Sequence, residues 1–314
     1  MNIPISFGYI YDIFHNDNNN LVIISPAEKC PEKITYKNIQ FTLHSCPHNH
    51  TYIYVLNTQT KYNENIELNI NGKIVKTKVN KYPEFKDEII MSTIILNEDN
   101  YIIQWIKFHL NIGITRFIIY DNNVVDGNLK NILNNYILEG IVILIKWPYP
   151  YLLKKSGGSG QTTHQNHSIW AFRNSKYIGL FDVDEYLNMQ QEINIHDFFT
   201  KLIIDEKIDT SKIGSFRLLN KYFYNPHNLP TNDFEFLKIY NCNNITLVNC
   251  EKNFVIPKNV FTFSVHMITK GYKMYNVCPK KLYFNHYYFL NKPIRGRDKT
   301  DISDNSIYRH TLKL

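Results

Sequence analysis

Tyr177-Ile178-Gly179-Leu180-Phe181 runs directly into Asp182-Val183-Asp184-Glu185, so an apolar strand of the buried kind ends in a cluster of carboxylates. In an open α/β sheet, ligands bind in the crevice outside the carboxyl ends of the strands. Residues i and i+2 of an extended chain point the same way, which predicts that Asp182 and Asp184 share one divalent cation. Hard carboxylate oxygens suit Mg²⁺ or Mn²⁺, ions commonly completed by substrate phosphates, so the implied substrate is a diphosphate. An acidic cluster after a strand is also the mark of a solvated turn or of a helix cap, and the neighbouring elements decide between these readings.

Those elements repeat one unit. Ile89-Ile-Met-Ser-Thr-Ile-Ile-Leu96 is a continuous apolar strand, and Asn97-Glu98-Asp99 then caps a helix with Ile102, Ile103, Ile106 and Leu110 on one face. Gly113 ends that helix, Arg116-Phe-Ile-Ile-Tyr120 forms the next strand, and Asp121-Asn122 stands at its tip. A helix around Leu129 to Leu138 leads to the strand Ile141-Val-Ile-Leu-Ile145. A polar helix, about Thr163 to Asn174, leads into the strand before Asp182. Four apolar strands alternating with helices predict an α/β fold, a mainly parallel sheet with helices on both faces.

Before residue 87 the pattern changes to short alternating runs, Tyr52-Ile-Tyr-Val-Leu56 and Ile66-Glu-Leu-Asn-Ile70. Asn71-Gly72 then separates the latter from Lys73-Ile-Val-Lys-Thr-Lys-Val79, a strong hairpin signal. Residues 1–86 are therefore expected to form a small β-rich N-terminal domain, and residues 87–314 the α/β domain.

The 314 residues, 44% of them hydrophobic, are enough to bury a full core. A net charge of +7 fits a phosphate-bearing partner, yet the basic residues are scattered, and no nucleic acid is expected. No stretch reaches the ~20 apolar residues of a spanning helix, and no signal peptide opens the chain, so no transmembrane segment and a cytoplasmic location are expected. Heavy use of Asn, Ile, Lys and Tyr fits an AT-rich genome, microbial or viral; a viral chain would work in host cytosol. Cys30, Cys46, Cys242, Cys250 and Cys278 form no Cys-x-x-Cys pair, and their odd number argues for reduced thiols. Cys46-Pro-His48-Asn-His50 lacks the second half of a zinc finger and reads as a polar loop. The oligomeric state has no signature in the chain.

The order of motifs resembles a known family. Asn97-Glu98, Tyr101-Ile-Ile-Gln-Trp105, His109, Gly113, Phe117-Ile-Ile-Tyr-Asp121-Asn122 with Asp126, and Phe181-Asp182-Val-Asp184-Glu185-Tyr-Leu187 follow the pattern of family 92 glycosyltransferases and their family-2-like relatives, which share the GT-A fold. Glu251-Lys252-Asn-Phe-Val-Ile-Pro257, His266 and His286-Tyr287 continue it. The resemblance spans roughly residues 87 to 300. It implies metal-dependent transfer of galactose or a similar hexose from a nucleotide-diphosphate donor, a UDP-sugar, to a hydroxyl of a glycan or glycoprotein acceptor, with inversion.

Carried over by residue, Asp182, Asp184 and Glu185 become the catalytic set. Asp184 is the direct ligand of Mn²⁺ or Mg²⁺, Asp182 a metal ligand or a contact to ribose or sugar hydroxyls, and Glu185 orients both. Asn97, Glu98 and Asp121 line the donor face at the first two strand tips. His286 is the candidate for a further metal or diphosphate ligand, with His266 next. Trp105 and His109 read as structural. Arg295, Arg297 and Lys299 can pair with phosphate or form a basic tail. The catalytic base stays open among Asp233, Glu235 and Glu251. Gln161 and Gln165 offer two registers for one expected Gln, and the segment Lys154 to Gln161, with no Gly-Lys-Ser/Thr, is a lid or a plain linker and not a Walker A loop. Two rival readings are a degenerate, non-enzymatic carbohydrate-binding protein and an Asp-x-Asp phosphatase.

Overall fold

A computed structural model describes residues 10–16, 20–26, 31–45, 51–57, 65–123, 128–151, 160–223, 237, 241–242, 250–287 and 302–311. The first part of the chain is β-structure. Strands β1 (Asp12–His15), β2 (Asn20–Pro26), β5 (Thr42–Ser45), β6 (Thr51–Asn57) and β9 (Asn80–Lys81) form a sheet in the order β5-β6-β2-β1-β9. Strands β3 (Ile34–Tyr36), β4 (Ile39–Gln40), β7 (Asn65–Ile70) and β8 (Lys73–Lys78) form a second, ordered β4-β3-β7-β8. The hairpin expected at Asn71-Gly72 is present: Ile70 pairs with Lys73, and both turn residues have positive φ, 50° and 86°. Asn and Gly tolerate that region where most side chains do not.

The central sheet contains β10 (Ile89–Ile95), β11 (Arg116–Asp121), β12 (Val142–Lys146), β13 (Tyr177–Leu180), β15 (Ile213–Leu218), β18 (Lys252–Val255) and β21 (Lys273–Asn276). Its order is β12-β11-β10-β13-β18-β15-β21. The first four strands run parallel, as their apolar runs require, while β18 pairs antiparallel with both β13 and β15. All seven residues of β10 are buried, and they alternate between two cores. Ile89, Met91 and Ile95 meet Trp105 and Ile106 of α1 (Ile102–Asn111) and Phe198 and Phe199 of α5 (Ile195–Asp205). Ile90 and Ile94 meet Ile169 of α4 (Gly160–Ala171) together with Phe14, Val22 and Ile53 of the five-stranded sheet. Each such fully buried aliphatic side chain contributes about 1.5–3 kcal/mol relative to exposure.

Several elements differ from their sequence-based expectation. A 3-10 turn over Asp99–Tyr101 precedes α1, and neither start is capped by a side chain. Asp99 instead accepts from Asn123 Nδ2 (2.7 Å) and Asn128 Nδ2 (3.0 Å), so the acid ties two loops together. The helix expected around Leu129 to Leu138 divides into α2 (Asn128–Ile132) and α3 (Asn134–Leu138). Helix α4 starts three residues earlier than expected and is buried along its whole length.

That burial is made tolerable because many of α4's polar side chains find partners on neighbouring elements, although Thr162 Oγ1, His164 Nδ1 and Gln165 Oε1 are buried without one among the described residues. Asn166 donates to the Thr162 and Phe263 carbonyls and accepts from the Phe263 amide, Thr163 bonds Thr51, and Trp170 donates to the Phe261 carbonyl. His167 lies 2.8 Å from Asp12 and 2.6 Å from the Tyr120 hydroxyl. Phe261 and Phe263 belong to the two-stranded sheet of β19 (Val260–Ser264) and β20 (Met267–Gly271); another short pair joins β17 (Asn241–Cys242) to β23 (Ile302–Ser303). A three-stranded sheet, β14-β22-β16, is formed by β14 (Glu185–Met189), β16 (Asn220–Tyr222) and β22 (Leu282–His286). Its register sets Glu185 opposite His286.

Candidate active site

After β13 the chain does not stay extended. It turns at Val183-Asp184 and re-enters as β14, so the same-side argument for Asp182 and Asp184 does not apply. The turn is held by its own groups: the Glu185 amide donates to the Asp182 carbonyl (3.2 Å), and the Asp182 amide donates to Glu185 Oε2 (2.9 Å). The Tyr287 amide donates to the Asp184 carbonyl (2.8 Å), and Trp105 Nε1 donates to the Glu185 carbonyl (3.1 Å).

This geometry brings Asp184, Glu185 and His286 together. His286 Nε2 is 3.3 Å from Asp184 Oδ2, and Nδ1 is 3.8 Å from Glu185 Oε1. One ligand atom from each lies within 4.8 Å of the others, and all three residues are buried. Both Asp184 carboxylate oxygens are buried with no hydrogen-bond partner. An ionised carboxylate is expensive to bury in that condition, and a hard divalent cation would satisfy it. Two carboxylates and an imidazole therefore fit such an ion. Burial pushes the Glu185 carboxyl up to about 7, with Lys252 opposing the shift and Asp182 adding to it. Burial works against the charged form of His286, but the carboxylates of Asp184 and Glu185 outweigh it and raise its value.

Asp182 stands outside that triad. Its Oδ2 accepts from Lys252 Nζ (2.7 Å) and its Oδ1 from Gln161 Nε2 (2.9 Å), while Lys252 Nζ also lies 3.2 Å from Glu185 Oε2. The Lys252 side chain is 3% exposed and that of Asp182 34%. Burial disfavours the Lys252 charge, but Asp182 and Glu185 override it and raise its value. Of the two glutamine registers, Gln161 reaches Asp182, whereas Gln165 donates to the Val265 carbonyl.

The other strand tips are interlocked. The Asn97 amide donates to Asn123 Oδ1 (2.7 Å), the Asn123 amide to Asp121 Oδ1 (3.1 Å), and Lys146 Nζ lies 3.3 Å from Asp121 Oδ2. Tyr151 sits where the tips converge: burial raises its hydroxyl first, followed by the charge of Asp182 and, more weakly, those of Glu98 and Asp184. His266 lies apart from the triad, its Nδ1 donating to the Glu251 carbonyl (2.8 Å), with burial and the Lys252 charge lowering its value. Glu251 is ion-paired with Arg217.

Residues 87–312 match the family model of Glycosyltransferase family 92. The chain belongs to glycosyltransferase family 92. It is similar to a family 92 protein of Ricinus communis, 22% identical over 211 residues covering 64% of this chain and 35% of the relative. A family 92 protein of Oryza sativa subsp. japonica is 23% identical over 37% of this chain and 19% of its own length. One of Arabidopsis thaliana is 27% identical over 35% and 18%. The chain thus spans about a third of the length of the Ricinus relative. Among solved structures, the bifunctional glycosyltransferase WbbM aligns with a TM-score of 0.29 at 11% identity, covering 47% of this chain and 27% of its own. HddC from Yersinia pseudotuberculosis aligns with a TM-score of 0.33 at 11% identity, covering 63% and 92%.

Sequence reasoning assigned no role in this candidate site to Lys252 or Tyr151, and it read Trp105 as structural. Lys252 carried a readable signal, a lysine shortly before the apolar run Phe254-Val-Ile256, where only an acidic partner makes burial tolerable. Asp126, Asp233, Glu235, Arg295, Arg297 and Lys299, Cys30, Cys46, His48 and His50, and Lys154 to Ser159 lie outside the described residues. Cys242, Cys250 and Cys278 are free thiols. No helix among the described residues is long and apolar enough to cross a membrane.

Proposed function

We propose that this chain is a glycosyltransferase that moves a hexose, galactose or a similar sugar, from a UDP-sugar to a hydroxyl of a glycan or glycoprotein, using Mn²⁺ or Mg²⁺. The observation that carries this reading is the buried Asp184 carboxylate, met among the described residues only by the His286 imidazole at 3.3 Å and grouped with Glu185 at the end of a parallel strand. Family membership supports the transferase chemistry, and four parallel strands, three of them leading into acidic residues at their tips, support a GT-A arrangement.

Asp184, Glu185 and His286 are the residues that would hold the cation. When bound, it supplies charge neutralisation for the departing nucleoside diphosphate. The chain's own groups do the rest. Asp121, fixed by Lys146 and Asn123, and Glu98 and Asn97 beside it offer fixed polar groups to the uracil and ribose of the donor. Such fixed groups lower the cost of aligning two substrates, a large share of catalysis in a reaction between them. Inversion calls for a single displacement in which a carboxylate takes the acceptor proton. Glu251 is committed to Arg217, so the base is sought elsewhere.

A thermal-shift panel of UDP, GDP, UDP-galactose, UDP-glucose and UDP-N-acetylglucosamine, each with and without Mn²⁺, tests the proposal on the wild type and on Asp184→Ala. A ligand that binds only the folded state raises the transition by mass action. The expected result is a Mn²⁺-dependent rise with uridine nucleotides that Asp184→Ala abolishes. No rise with any ligand would favour a degenerate, non-catalytic domain.

A further inference from the structure

Resting on the metal-dependent reading above, we infer that Lys252 is a positioning residue that holds Asp182 out of the metal shell, so that the site takes a single divalent cation through Asp184, Glu185 and His286 and leaves Asp182 to face the donor.

The geometry is specific. Lys252 enters from β18, the antiparallel neighbour of β13, and its ammonium bridges Asp182 Oδ2 (2.7 Å) and Glu185 Oε2 (3.2 Å). The opposite oxygen of Asp182 is taken by Gln161. Asp182 is therefore clamped on both oxygens by donors from two different elements, whereas Asp184 meets, among the described residues, only the His286 imidazole, itself a candidate metal ligand, 3.3 Å from its Oδ2. Glu185 divides its work: Oε2 faces Lys252 and the Asp182 amide, and Oε1 faces His286.

Charge balance points the same way. In the metal-bound form, whose ligands are deprotonated, three carboxylates and one buried ammonium leave a double negative charge beside a neutral imidazole, which one divalent cation neutralises. Without the ammonium the cluster would carry three, enough to attract a second cation or to draw Asp182 into the first shell. A buried lysine spent wholly on two acids is also badly placed to serve a phosphate, so its role is exerted through Asp182 and Glu185.

Titration calorimetry and electron paramagnetic resonance with Mn²⁺ alone provide the test. The wild type is expected to bind one Mn²⁺. Lys252→Gln, which keeps a hydrogen-bond donor but removes the charge, should bind Mn²⁺ about tenfold tighter or more, because a like charge a few ångströms away is lost in a low-dielectric site. Its kcat with a UDP-sugar should fall even so, since Asp182 is released. That opposition between metal affinity and turnover is not produced by a general loss of structure. Lys252→Arg should keep the wild-type Mn²⁺ affinity.

Should Lys252→Gln fail to fold, the charge-balanced double variant Asp182→Asn with Lys252→Gln decides the matter. It should bind one Mn²⁺ with near wild-type affinity. Loss of Mn²⁺ from that double variant would make Asp182 a ligand and overturn the inference. So would unchanged or weaker binding by a folded Lys252→Gln protein. A wild-type protein that binds no Mn²⁺ would instead overturn the metal-dependent reading itself.

Discussion

Trp105 belongs to the residues whose function is support. Its indole is buried in the core beside Phe117 and His109, yet its Nε1–H reaches across to the Glu185 carbonyl (3.1 Å), where β14 begins. Trp105→Phe keeps an aromatic ring in the core but removes the donor and part of the indole's volume, leaving a buried carbonyl unsatisfied. The expected loss is about 1–3 kcal/mol in urea unfolding, together with a smaller Mn²⁺-dependent thermal shift. An unchanged stability would mean that neither the Nε1–H bond nor the indole's extra volume supports the fold. The residue scale is also where sequence reading was least complete. Asp182, Asp184, Glu185 and His286 stood out as candidates, but the division of labour among them depends on a turn at Val183-Asp184. The turn closes on local bonds between Asp182 and Glu185, but its placement against the site depends on long-range partners, Tyr287 and Trp105, that no local pattern announces.

Helix α4 shows the same limit for a whole element. The apolar strands β10 to β13 were legible because burial on both faces demands unbroken hydrophobicity, and the hairpin at Asn71-Gly72 because its φ values demand those two residues. Helix α4 reads as a polar helix by composition and is buried throughout, because its partners come from distant strands. Asp12 is the densest of them. Its carboxylate accepts from His167 Nε2, from the Tyr82 hydroxyl (2.5 Å), from Asn80 Nδ2 (2.7 Å) and from the Ile13 amide (2.7 Å). Asp12→Ala would strand these donors together, and the expected loss is about 3–5 kcal/mol, the range for breaking a buried pair from one side. Urea unfolding measures it. Since α4 also carries Gln161 to Asp182, the surviving folded fraction should bind UDP with Mn²⁺ more weakly; undiminished binding would show that α4 holds its place without Asp12.

At the scale of the whole molecule, the core has absorbed an unusual set of neutral histidines, and the consequence is a pH dependence with a defined sign. Burial lowers His109 and His164 to about 3 and His310 and His44 to about 4, and it lowers His15 and His266 as well. Each binds a proton in the unfolded chain below about 6.5 that the fold refuses, so stability is lost as pH falls from there toward 4. Glu185, raised to about 7, and His286, also raised, work the other way, because the fold takes their protons more readily than the unfolded chain does. Two groups against six leave a net loss, and one unbalanced proton corresponds to about 1.4 kcal/mol per pH unit. His44 is only half buried, so solvent screening shrinks its share. Urea midpoints taken without metal at pH 6.5, 5.5 and 4.5 should therefore fall steadily. His109→Gln, which retains a donor for the Trp105 carbonyl that His109 now engages at 2.8 Å, should flatten that slope. A midpoint that holds or rises on acidification would mean that the proton uptake of Glu185 and His286 outweighs the buried histidines, placing the dominant pH response in the Asp184, Glu185 and His286 cluster and not in the core.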